Sequence, residues 1–180
     1  MALIISCICS CTHQASQCSS NWKVTGFYTP LESEFDSKAT ESIRVEKSQT
    51  LLFNSKFIAA VKIEGWGKTR FGWYLGFYND RWHKSSYALN AVGQPLEIGA
   101  IAVDKDFLSF GSRLVIPSVQ DQLNISEFIA VDVGSGVRKR HIDIYTGEGQ
   151  EARRRSYAVT GQHQVCLLGK KGSPVIDLTK

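Results

Sequence analysis

Three aspartates sit where apolar strands end or where an apolar alternation is interrupted. Asp104 follows Ala100-Ile101-Ala102-Val103, and Asp132 follows Phe128-Ile129-Ala130-Val131. Asp143 stands inside the run His141-Ile142-Asp143-Ile144-Tyr145. An aspartate just after a buried strand is commonly a turn-former whose carboxylate accepts backbone N–H bonds. Asp143 is a different case, because a carboxylate within a strand costs several kcal/mol if buried and unpaired. It must face solvent on one side, be paired, or carry a proton. With Asp132 close upstream, like-charge repulsion raises the pKa of one of the two. That is the arrangement a general acid needs near neutral pH.

The elements that must hold these residues read as short strands. Trp22 to Tyr28 alternates and is rich in β-formers, ending at Thr29-Pro30. Residues 31–49 are polar and predict a loop or a short helix, while 51–65 is ambiguous between strand and helix. The aromatic stretch 69–83 predicts a strand bent at Gly72 and Gly76 and closed by an Asn79-Asp80 turn. Strands follow at 100–103, 113–116, 128–131, 141–145 and 164–168, and a helix within 147–159. Short strands about 10–15 residues apart with few helices predict a small closed β-barrel.

Composition bounds the partners. The chain has 180 residues, 43% of them hydrophobic and 21% charged, with a net charge of +4. These values fit a globular protein and give no footprint for nucleic acid. The basic runs Arg138-Lys139-Arg140 and Arg153-Arg154-Arg155 read as solvated turn and helix faces. Cys7, Cys9, Cys11 and Cys18 crowd the start of the chain, and Cys166 stands alone near its end. Ile4-Ile5-Ser6-Cys7 fits the box in which bacterial lipoproteins are lipidated, although no Lys or Arg precedes it. If the compartment is oxidising, Cys18 and Cys166 are expected to pair as a disulfide that ties the two ends of the domain together. No His-rich partner set accompanies the cysteines, so no metal is expected.

With these residues in view, a resemblance emerges. Gly26-Phe27-Tyr28-Thr29-Pro30, Ala102-Val103-Asp104, Asp132-Val133-Gly134-Ser135 and Ile142-Asp143-Ile144-Tyr145-Thr146-Gly147 together resemble the three-aspartate (3D) domain of the membrane-bound lytic transglycosylase A (MltA) family. The resemblance covers residues 22–30 and 88–170. It implies a mainly β fold, a six-stranded double-psi β-barrel with one or two short helices. Residues 1–21 would be a truncated signal or lipoprotein segment and tether, and 22–180 a single barrel. The second glycine of the family's Asp-x-Gly-Gly turn is here Ser135.

The implied activity is cleavage of the β-1,4 bond between N-acetylmuramic acid and N-acetylglucosamine in peptidoglycan, leaving a 1,6-anhydro sugar. Asp143 matches the family's catalytic acid, and Asp132 and Asp104 its two companions. Tyr28, Thr29, Gly134, Ser135 and Tyr145 are expected to line the sugar groove, with Trp73 a candidate stacking platform. No cofactor is implied. The expected partner is the glycan strand of peptidoglycan, with a membrane reached through lipid on Cys7 and residence in the cell envelope, on the periplasmic face of the outer membrane. Only residues 31–88 lie between the first motif and the rest, too few for the second domain that the family inserts there. The groove is therefore expected to be shallow, or completed by 31–88 or by a partner protein. Two rival readings stay open: a non-catalytic polysaccharide-binding module of expansin type, and an envelope lipoprotein whose aspartates are structural.

Overall fold

The computed structural model describes residues 16–36, 38–46 and 49–168. Strand β1 (Ser16–Thr29) opens the fold, with Trp22 and Val24 fully buried and Lys23 and Thr25 on the opposite face. It begins within the stretch expected to be a tether. Ser16 to Ser19 pair with Leu168 to Val165, and a register shift follows where Asn21 takes a left-handed φ of 64°. Asparagine tolerates that conformation. Cys7 lies outside the described residues.

A single-turn 3-10 helix (Glu32–Glu34) leads to strands β2 (Ala39–Glu46) and β3 (Gln49–Asn54), then helix α1 (Ser55–Glu64). The ambiguity at 51–65 resolves into both structures, divided at Asn54. Its side chain accepts the amides of Lys56 and Phe57, at 2.9 and 3.3 Å, and so starts the helix. Strands β4 (Trp66–Lys68), β5 (Tyr74–Tyr78) and β6 (Arg81–Ser85) make a three-stranded sheet, with the tight turn at Asn79-Asp80 in left-handed φ. Ile43, Val45, Phe53, Phe57, Ile58, Val61 and Leu75 close a core of their own here. Buried Glu32 ties the lobe together, accepting the amides of Asn54 and Arg70 and pairing with the Arg70 guanidinium.

The chain then returns through β7 (Ala100–Val103), β8 (Arg113–Val115), α2 (Pro117–Leu123), β9 (Phe128–Asp132), β10 (His141–Glu148), α3 (Gly149–Ala158) and β11 (Gly161–Leu168). Six strands form a closed barrel in the order β1-β10-β7-β9-β8-β11, with β1/β10 and β7/β9 parallel. Residues 22–168 therefore do not all enter one barrel: 31–88 build a lobe beside it. Three α-helices are present among the described residues where one or two were expected. The extra one, α2, carries Pro117 in its first turn, where a missing N–H costs nothing.

Helix α3 lies so close to β1 that a Cβ on Gly26 would meet the Ser156 Cα at 2.6 Å. Real carbon atoms do not approach so closely, and backbone must shift to relieve it. Gly26→Ala is expected to lower stability by about 1–3 kcal/mol, read as a lower urea midpoint at unchanged slope. An unchanged midpoint would show that α3 moves freely on the barrel.

Candidate active site

Alternation along β10 places Ile142 and Ile144 in the core at 0% exposure and turns Asp143 to the other face, half-buried. Thr25 of β1 lies directly across the parallel pair, and Ala102 of β7 lies across on the other side. The Thr25 hydroxyl donates to Asp143 Oδ1 at 2.7 Å. Thr25 Oγ1 also lies 2.9 Å from His141 Nε2, and His141 Nδ1 lies 3.1 Å from the Gly136 carbonyl. Burial pushes the Asp143 carboxyl above its ordinary value, while the Thr25 bond, His141 and Lys23 pull against that rise.

The other two aspartates are held by backbone amides. Asp132 Oδ1 accepts from Ala91 and Val133, both at 2.9 Å, pinning the segment before β7 to the end of β9. Burial still lifts its pKa to about 6, against those two amides, and the charge of Asp143 adds to the rise. Asp104 accepts from the amides of Lys139 (2.9 Å) and Asp106 (3.1 Å). Those bonds, Lys139 first, hold its carboxyl below the ordinary range. Asp104 thus fastens the loop that leads into β10, while Asp132 is the one that feels Asp143.

Glu64, which the sequence reading passed over, arrives from the lobe. It ends α1, and its Oε2 accepts the Tyr28 amide of β1 at 3.2 Å. Burial lifts its pKa to about 7, the Tyr28 bond resists, and the charge of Asp143 pushes further. One signal was present in the sequence. An acid just before a C-capping glycine faces the negative end of the helix dipole, a costly place for a carboxylate. Farther along, Glu148 accepts from the Tyr74 hydroxyl at 2.6 Å and pairs with Lys68 at 3.3 Å, joining lobe to barrel again.

The raised pKa of Glu64 has a consequence for stability. Between its ordinary 4.5 and about 7 the folded state holds this proton more tightly than the unfolded chain. Stability present at low pH is therefore lost as the pH rises through that window, by at most about 3 kcal/mol. Glu64→Gln is expected to flatten the decline between pH 5 and pH 8 (about that window) in chemical denaturation. Parallel curves for the two proteins would mean that the carboxyl is not strained.

The remaining sequence candidates fall in several places. Thr29 and Tyr145 are buried, at 1% and 3% exposure, and bond to each other at 2.9 Å, bracing β1 to β10. Burial carries the Tyr145 hydroxyl to about 12. Tyr28 is buried, and its amide is the one that Glu64 holds. Gly134 opens a turn closed by the Val137 amide at 3.1 Å, with Ser135 exposed at its tip. Trp73 belongs to the lobe, stacked on Phe71 at 6.0 Å with Lys84 over its ring. Cys18 and Cys166, opposite one another on β1 and β11, form a disulfide.

A closed six-stranded barrel carrying Asp104, Asp132 and Asp143 at its strand ends and on β10 defines the class of fold, which is MltA-like. The family model for the 3D domain matches residues 99–169. The chain is similar to the crystal structure of E. coli MltA with bound chitohexaose, at TM-score 0.67 and 14% identity, over 84% of this chain and 72% of that one. It is similar to a membrane-bound lytic murein transglycosylase from Agrobacterium tumefaciens (TM-score 0.58, 13% identity, 85% and 76% covered). MltA from Neisseria gonorrhoeae aligns comparably (TM-score 0.58, 15% identity, 87% and 74% covered). No curated protein matches the chain.

Proposed function

We propose that this protein is a lytic transglycosylase of the cell envelope, cleaving the MurNAc-β-1,4-GlcNAc bond of peptidoglycan with Asp143 as its single acid and base. The observation that carries the reading is the state of Asp143. It is half-buried, lifted toward the protonated form, and held by a side-chain hydroxyl rather than by backbone amides. The carboxyls of Asp132 and Glu64 are raised in the same neighbourhood. A site that raises the pKa of its acids is suited to giving a proton to a leaving glycosidic oxygen.

In the proposed reaction Asp143 protonates that oxygen as positive charge develops at C1 of the muramic acid. The carboxylate so formed then takes the proton of the C6 hydroxyl as that oxygen attacks C1, closing the 1,6-anhydro ring. The acid ends as it began, and no water is consumed. Hydrolysis would need a second carboxylate to act as nucleophile or to activate water. Here an attacking group within the same sugar takes that place by proximity. The lobe at 31–88 and the barrel would form the two walls of the glycan site, meeting where Glu64 reaches Tyr28. A β-1,4-linked amino sugar oligomer, chitohexaose, is the ligand of the E. coli MltA structure that shares this fold. Lipid on Cys7 would hold the protein at the membrane; among the described residues no helix is long and apolar enough to cross one.

Digestion of purified peptidoglycan followed by mass spectrometry tests the reading. Release of muropeptides ending in 1,6-anhydromuramic acid is the expected result. Reducing ends would show a hydrolase instead. Capture on sacculi without any cleavage would make the protein a binding module.

A further inference from the structure

We propose that His141, Thr25 and Asp143 form a proton relay, in which the Thr25 hydroxyl passes one shared proton between the carboxyl and the imidazole. The inference rests on counting hydrogens. The Gly136 carbonyl can only accept, so His141 Nδ1, 3.1 Å away, carries a hydrogen and donates it. His141 Nε2 then faces the Thr25 oxygen at 2.9 Å, and Asp143 Oδ1 faces it at 2.7 Å from the other side.

A hydroxyl has one hydrogen to give. If Thr25 donates to Asp143, Nε2 must bring its own hydrogen, and the pair is carboxylate and imidazolium. If Thr25 donates to Nε2, the carboxyl must bring the hydrogen, and the pair is carboxylic acid and neutral imidazole. Either way all three bonds are made only when the triad holds one proton more than an ionised aspartate beside a neutral histidine. The two arrangements interconvert by moving two hydrogens along the chain, one onto and one off the Thr25 oxygen, with no change in total charge. Loss of the shared proton leaves two lone pairs facing one another, so the network itself resists deprotonation.

The placement makes this a device for loading the acid. Thr25 and Asp143 are direct partners across β1 and β10, while His141 is two residues before Asp143 and so shares its face of β10. His141 is half-exposed and can exchange protons with solvent when substrate covers Asp143. The charged neighbours of the site are Lys23 on β1, Asp132 on β9 and Glu64 on α1. The two acids disfavour a bare carboxylate at Asp143, which is the form the relay corrects. Thr25 and His141 are positioning residues here, acting through Asp143.

The inference deepens the transglycosylase reading, and its catalytic meaning rests on that reading, but it can be tested without turnover. NMR titration of the free protein would follow the Asp143 carboxyl carbon and the His141 ring nitrogens. In the wild type both signals are expected to move with a common upper midpoint. In Thr25→Val, which removes the hydroxyl and keeps both charged groups, the common midpoint is expected to split. Separate midpoints in the wild type, or a common one that survives Thr25→Val, would overturn the relay whether or not the protein cleaves glycan. If cleavage is found, His141→Phe is expected to move the alkaline limb of kcat/KM to lower pH by about one unit, because losing the shared proton outweighs losing the charge of His141, which by itself pulls the Asp143 carboxyl down. A shift to higher pH would mean that His141 acts only as a nearby charge and would also overturn the relay. A shared titration in a protein that releases no anhydro product would leave the relay standing and remove the proposed function.

Discussion

Asp143→Asn is expected to end the release of anhydro-muropeptides, lowering the rate by at least about 10²–10⁴-fold, the range general acid–base catalysis contributes. The exchange keeps the shape of the side chain and its acceptor for the Thr25 hydroxyl. It removes the only atom in the proposed reaction that both gives and takes the proton. Its effect on folding should be the reverse of its effect on rate. A carboxyl that burial pushes toward neutrality is a cost to the fold above its ordinary pKa, and an amide does not bear that cost. The variant should therefore unfold at the wild-type midpoint or above it near neutral pH. Glu64 offers an internal check. The charge of Asp143 is one cause of its rise to about 7, so its titration should move down in the variant. Full activity in a folded Asp143→Asn protein would transfer the acid's role elsewhere, with Glu64 and Asp132 the first to test. Loss of activity with a lowered Glu64 titration would tie the rate to the carboxyl and not to a damaged fold.

The barrel strands were legible because their alternation is strong. Ile142, Ile144, Phe128, Ala130 and Ile101 all point inward with nothing polar between them on that face. Asp143 was legible for the same reason, as a carboxylate standing between two core isoleucines. The lobe was harder to see. Among its described side chains, strand β2 buries Ile43 and Val45 alone, so its polar face reads as loop. Its core forms only when α1 and β5 come in from later in the chain. Pro117, which directly follows the strand expected at 113–116, begins α2. The site was half legible. Which aspartate carries amides and which a hydroxyl depends on partners such as Ala91 for Asp132 and Thr25 for Asp143. Those pairings are a product of strand register across the closed barrel. Glu64 belongs to the same class, since only the approach of α1 to β1 reveals what its carboxyl meets. Its position at an unfavourable helix end, and its strained protonation, are the kind of local cost that proteins retain at working sites.

Loss of the Cys18–Cys166 bond is expected to have the largest effect on the fold. The two cysteines are separated by 148 positions and close the barrel where its first and last strands pair. A cross-link over so long a loop restricts the unfolded chain strongly; the entropic account gives about 4–5 kcal/mol, and removal of native bonds typically costs about 2–5. At roughly 2–4 °C per kcal/mol for a chain of this size, Tm should fall by on the order of 10 °C. The variant to use is Cys18→Ser with Cys166→Ser, which leaves neither cysteine to form a wrong pair. A reductant should lower the wild-type Tm toward that of the double variant and leave the variant unchanged. The same comparison bears on where the protein works. Structural disulfides are found chiefly where thiols are kept oxidised, as in a bacterial periplasm. If wild type and double variant melt together under oxidising conditions, the bond contributes nothing to the barrel. The envelope assignment would then stand on the proposed lipid anchor alone.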